Sequence, residues 1–90
     1  MRFKFDPKKS ARLKKERGIS FKEAQEMFDH PHYIEPRIDD PNQSRAIGWV
    51  GGRLYTVIYE LRYDKQGEYH HLVTLWKATK EEQQLYEENA

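Results

Sequence analysis

The chain has 90 residues, no cysteine, 37% hydrophobic and 34% charged residues, and a formal net charge of +1. That length supports one domain, residues 1–90, with a single modest core. The lack of cysteine excludes a disulfide framework and a thiolate metal site. No apolar run approaches ~18 residues and no signal peptide opens the chain, so the expectation is a cytoplasmic protein that does not engage a membrane.

The small net charge conceals a gradient. Arg2, Lys4, Lys8, Lys9, Arg12, Lys14, Lys15 and Arg17 crowd the first residues, and Glu81, Glu82, Glu87 and Glu88 the last. A basic end reads as a phosphate-facing surface. Its plainer reading is a solvated helix face balanced by the acidic tail.

Phe3 and Phe5 alternate with basic residues, as in a short edge strand. Asp6 is a good N-cap and Pro7 suits the first helical position, predicting a helix to Arg17 that Gly18 terminates. Its apolar stripe, Ala11 and Leu13, is thin, so it should lie on the surface. Ser20 and Glu23 form a capping box for a second helix, which presents Phe21, Ala24, Met27 and Phe28 on one side until Pro31 stops it. Pro36 restricts Tyr33–Ile38 to an edge strand.

The segment from Arg45 to Thr79 holds most of the bulky apolar side chains. Its β-rich runs are divided by Gly51-Gly52 and by Asp64-Lys65-Gln66-Gly67, which predicts a three-stranded antiparallel meander. Those loops pair Trp49 with Leu54, Ile47 with Thr56, Leu61 with His70, Tyr59 with Leu72 and Tyr55 with Trp76. One face then carries Ile47, Trp49, Leu54, Ile58, Val73 and Leu75, forming a core with Phe21 and Phe28. The other carries Tyr55, Val57, Tyr59, Leu72, Thr74 and Trp76, and is either covered by a helix or used for binding. Thr79 and Glu82 cap a last helix, roughly 80–88, with Leu85 and Tyr86 to bury.

His70 and His71 point to opposite faces of their strand, so they cannot share a metal. One is a candidate acid or base; a half-exposed structural histidine is the plainer reading. His30 and His32 flank Pro31 without a carboxylate at ligand spacing, and no metal site or cofactor is expected.

The opening F-K-F-D-P-K-K, then G-I-S-F-K-E-A, R-A-I-G at Arg45–Gly48, V-I-Y, and L-V-T-x-x-K-A-T-x-x-E-x-x-x-Y from Leu72 to Tyr86 resemble the BrnT family in the same order. These are small RelE-like ribonuclease toxins of bacterial type II toxin–antitoxin pairs. The resemblance implies an α+β, RelE-like fold: two N-terminal helices on a twisted antiparallel sheet of three to four strands, with a short C-terminal helix. It also implies a metal-independent ribonuclease that inhibits translation, acting on RNA that includes ribosome-associated mRNA and neutralised by a cognate antitoxin. The alternative is an inactive protein- or RNA-binding module on the same scaffold.

The chain departs from the family pattern at Leu13, usually Asn, and at Glu16-Arg17, usually Lys-His. It departs again at Trp76, usually Arg, and at Gln83, usually basic. RNA cleavage by the 2′-hydroxyl needs cations for the phosphorane and groups that move protons. The resemblance carries this to Arg45 and Lys77 as cations, with Tyr86 in the last helix. Tyr86 or, from the reading of the histidines, His71 is the candidate for proton transfer. Lys8, Lys9, Arg12 and Lys15 are the expected RNA contacts. Tyr55, Tyr59 and Trp76 would anchor the antitoxin or stack on bases.

Overall fold

In a computed structural model, which describes residues 1–89, the capping signals act where they stand in the sequence. Asp6 accepts from the Lys8 N–H at 2.9 Å and opens α1 (Pro7–Arg17), which Gly18 closes at φ 77°. Ser20 and Glu23 exchange both bonds of a capping box to start α2 (Phe21–Ala24). The predicted second helix stays α-helical for only one turn, then tightens into a 3₁₀ segment, Gln25–Asp29. Buried Ser10 accepts from the Phe21 N–H at 2.9 Å, which fixes α1 against α2.

Strands β1 (Phe3–Lys4), β2 (His32–Pro36), β3 (Gln43–Val50), β4 (Arg53–Asp64) and β5 (Gly67–Lys77) form one sheet in the order β1-β5-β4-β3-β2. This corrects the expected three- to four-stranded antiparallel sheet carrying two helices. The sheet has five strands, β1 runs parallel to β5, and the three helices divide between the faces. The extra edges arise because Phe3 and Lys4 reach across to His70 and His71, and because β2 folds back on β3 before Pro36 ends it. Helix α3 (Lys80–Asn89) follows the meander, with the Thr79–Glu82 capping box formed in both directions.

The β3–β4 pairing is as predicted, with Trp49 opposite Leu54 and Ile47 opposite Thr56. The β4–β5 pairing is as predicted from the loop to Tyr59 and Leu72, and then shifts. Ile58 opposes Thr74, so Val73 is an extra residue in β5. Such a bulge lets residues three apart share a face. Leu72 and Leu75 both join Leu13, Phe21, Met27, Phe28, Val57 and Tyr59 in the main core beneath α1 and α2.

The expected single core is therefore split. Ile47 and Leu54 lie on the opposite face, in a smaller cluster with Ala78 that Tyr33, Leu85 and Tyr86 partly cover. Trp49, expected in the core, is 48% exposed at that cluster's border, and Val73 is only partly buried. Among the described residues, no helix is long and apolar enough to cross a membrane.

Candidate functional site

The bulge decides which side chains meet. Residues directly opposite in a sheet share a face and successive residues alternate. Beyond Val73, Leu75 and Lys77 therefore lie on the face of α1 and α2, while Thr74 and Trp76 turn to the face of α3. Tyr55 opposes Lys77 and Thr56 opposes Trp76, one step from the expected Tyr55–Trp76 pair.

On the α1 face, a cleft of about 430 Å³ lies between the end of α1, the β3–β4 turn and the sheet. Arg17, Ile19, Glu23, Arg53 and Tyr55 line it. Gly18 turns the chain away at the end of α1, and the Arg17 guanidinium reaches down to donate to the Leu75 carbonyl. Arg53 projects from the start of β4, and Lys77 occupies the same sheet face opposite Tyr55; both are exposed. Arg17, Arg53 and Lys77 have no ion-pair partner among the described residues. The one lining carboxylate, Glu23, is matched by Lys14 at 2.9 Å. Lys14 and the Ser20 cap hold its pKa below the usual carboxylate range. The cleft is therefore net cationic, suited to a phosphate chain.

The α3 face has a second cleft, of about 280 Å³, between the β2–β3 connection and the sheet. Pro36, Ile38, Ile58 and Trp76 supply its apolar lining, and Glu35, Arg37, Asp39 and Arg45 its charged lining. Arg45 is fully engaged here. It pairs with Glu35 and donates to Glu82 Oε2 at 3.3 Å. Glu82 Oε1 accepts from the Trp76 indole N–H at 3.0 Å and from the Thr79 N–H at 2.9 Å. Burial alone would raise the Glu82 pKa; the bonds from Thr79 and Trp76, with the Arg45 charge, more than offset it and hold the carboxyl below its ordinary value.

Of the expected catalytic residues, Arg45, His71 and Tyr86 share the α3 face, and Lys77 stands on the other. His71 lies opposite Glu60, its pKa lowered by burial and by the Arg62 charge. The Tyr86 hydroxyl points to the Pro31 carbonyl at 3.5 Å and its ring meets Trp49 edge-on at 6.4 Å. Lys8, Arg12 and Lys15 are exposed on α1, and Lys9 is half-buried. Tyr55 and Tyr59, expected as anchors on an accessible face, are 8% and 4% exposed, because α1 and α2 cover that face. Trp76 is half-buried with its polar edge committed to Glu82.

Sequence reasoning missed Arg17, Arg53 and Glu82. Arg17 had a signal, as the last residue before a helix-ending glycine in a basic run. Glu82 had one in its capping box, but the pattern of charges does not reveal that it is buried. Arg53, beside a turn, had none.

A small α+β fold with two arginines free of ion pairs, among the described residues, lining one cleft has the charge to suit a polyanion. The particular family is specified by sequence: the model of the ribonuclease toxin, BrnT, of type II toxin–antitoxin system matches residues 5–82. The chain belongs to that family, for which an antitoxin is the partner. No curated protein matches the chain. Two positions expected to depart from the family pattern are committed in the structure. Leu13 is buried in the main core, where an amide would need partners. Trp76 donates a hydrogen bond to Glu82 and brings no charge to it.

Proposed function

We propose that this chain is a toxin that cuts RNA without a metal, inhibits translation in the cytoplasm of a bacterium, and is silenced by its antitoxin. The observation that carries this reading is a cleft lined by two unpaired cations, Arg17 and Arg53, in a chain of a ribonuclease-toxin family. A third, Lys77, stands opposite the lining residue Tyr55 on the same sheet face. In the cleavage, the 2′-hydroxyl gives its proton to solvent water as its oxygen bonds to the adjacent phosphorus, the bond to the 5′-oxygen breaks, and a 2′,3′-cyclic phosphate remains. The intermediate carries extra negative charge on its non-bridging oxygens, which fixed cations stabilise more than they stabilise the ground state. The Lys77 ammonium can also give its proton to the departing oxygen. Glu23 is too acidic to be a strong base for the 2′-hydroxyl, so the site works chiefly through charge.

This reading moves the chemistry to the Lys77 face. Arg45 already serves two carboxylates, and a phosphate would have to displace Glu35 or Glu82 to use it. The second reading, a binding module without cleavage, is favoured by a cationic cleft that no histidine lines among the described residues and by Trp76 where the resemblance implies an arginine.

The test is incubation of the purified protein with end-labelled RNA. Wild type should cleave it, leaving cyclic phosphate ends, and Arg53→Ala should cleave more slowly. Wild type that binds RNA and leaves it intact would establish the binding module instead.

A further inference from the structure

We propose that the outer edge of β2 is the docking site of the antitoxin, taken as an extended segment that adds a sixth strand to the sheet. The inference rests on the family's antitoxin partnership and not on the cleavage reading.

Strand β2 closes one side of the sheet. The Arg37 N–H donates to the Gln43 carbonyl at 3.0 Å, which fixes the phase of the β2–β3 ladder. Hydrogen-bonded pairs alternate along an antiparallel ladder, so Tyr33–Ile47 and Glu35–Arg45 are bonded pairs. The N–H and C=O groups of His32 and Ile34 therefore point outward, with no strand beside them among the described residues. Exposed edges of this kind invite pairing unless charge or distortion blocks them. Pro36 blunts only the last rung.

The side chains along this edge are those of a contact surface. Ile34 is 44% exposed and Ile38, just past the strand, is fully exposed. Strand addition takes affinity from main-chain hydrogen bonds and specificity from side-chain contacts such as these.

Charge specifies the occupant. The Tyr86 hydroxyl on the Pro31 carbonyl brings the Glu87-Glu88 end of α3 to the start of β2, and Asp40 follows its far end. Asp40, Glu87 and Glu88 have no ion-pair partner among the described residues. An acidic border repels RNA and complements a protein segment with apolar residues in its middle and Lys or Arg at its ends. This edge also leaves the cationic cleft on the α1 face open.

The experiment uses the full chain and the antitoxin of its own pair. Amide hydrogen exchange of the wild-type complex should show new protection at His32 and Ile34. The double variant Ile34→Asp/Ile38→Asp, changed only at exposed positions, should melt like wild type and bind the antitoxin at least tenfold more weakly by calorimetry. Unchanged exchange at both amides on complex formation overturns the proposal, as does unchanged affinity of the double variant. Protection that grows with the concentration of the chain alone would assign the edge to a second copy, and overturns it too. RNA cleavage by wild type, measured separately, reads the toxin activity without bearing on the docking site.

Discussion

Trp76 and Glu82 are joined by a 3.0 Å hydrogen bond from the indole N–H, and Arg45 holds the other oxygen of the same carboxylate at 3.3 Å. One buried side chain thereby ties β3, β5 and the first turn of α3 together. Its own charge is tolerable because every approach to it is a donor or a cation. Glu82→Ala should cost about 3 kcal/mol, the lower part of the range for breaking a buried pair, since Arg45 keeps Glu35. Glu82→Gln, which keeps an acceptor, should cost less. The acid limb of stability supplies a second readout. With its folded pKa lowered, Glu82 contributes stability above the ordinary carboxylate value, lost as pH falls through the folded one. Denaturant titrations from pH 7 to pH 3 should show a shallower acid slope in Glu82→Gln.

Arg45 and Lys77, paired by expectation in one site, should separate under mutation. Lys77→Ala should reduce RNA cleavage by ~10²–10³, as when one preorganised donor is removed, and leave the melting temperature alone. Arg45→Ala should do the reverse, because it strands Glu35 and Glu82. A loss of cleavage in Arg45→Ala and none in Lys77→Ala, at unchanged stability, would return the chemistry to the α3 face.

What could be read beforehand follows from where the information lies. Capping residues, turn glycines and strand register act within a few residues, and Asp6, Ser20, Thr79, Gly18 and Gly51 performed as their chemistry predicts. The Val73 bulge carries no comparable signal, since valine is an ordinary strand residue. It turned Trp76 to the opposite side from Tyr55, and with that the grouping of the candidate site changed. The parallel pairing of β1 was equally silent, for two residues cannot announce a partner as distant along the chain as β5. Trp49 shows the remaining gap: its alternation matches Ile47, but α3 reaches Ile47 and Leu54 more completely than it reaches Trp49.

Exposed cations on α1 should add affinity for RNA without adding sequence preference. Neutralising Lys8, Lys9, Arg12 and Lys15 together should flatten the dependence of binding on salt. On a single strand the logarithmic slope should fall by about 0.7 for each phosphate that these side chains no longer neutralise. Filter binding between low and moderate salt measures it. An unchanged slope would make this helix face a solvated one and confine phosphate binding to the Arg17 cleft.

Gly48 is required by packing and not by backbone conformation. A Cβ there would stand 2.6 Å from Met27 Cγ and 3.0 Å from His32 Cβ, at the crossing of the 3₁₀ segment and β3. Met27 is flexible, but it is completely buried and has little room to yield. Gly48→Ala should therefore cost about 1–3 kcal/mol, the usual result of overpacking. Thermal melts check this, and Gly48→Ala should cost less in a Met27→Ala background, where the space is already open.

His70 makes the fold sensitive to mild acid. Its ring is buried, stacked on Tyr59 at 4.8 Å and flanked by Phe3 and Phe28 at 5.5 Å, and its Nδ1 has no hydrogen-bond partner. Burial is the main cause that lowers its pKa, and the Glu68 charge offsets this only in part. In the unfolded chain the imidazole titrates near ~6.5. Between the folded and unfolded values the unfolded state binds more protons, so stability rises with pH there. Stability is complete above the unfolded value and drains away as pH falls below it toward the folded one. His71 is shifted in the same direction and adds to the effect. Melting temperatures taken from pH 8 to pH 5 should fall with acid in wild type and fall less in His70→Phe, which keeps the aromatic packing and removes the titration. They should be nearly flat across this window in His70→Phe/His71→Gln. A slope in the double variant as steep as that of wild type would place the acid sensitivity in groups other than these two histidines.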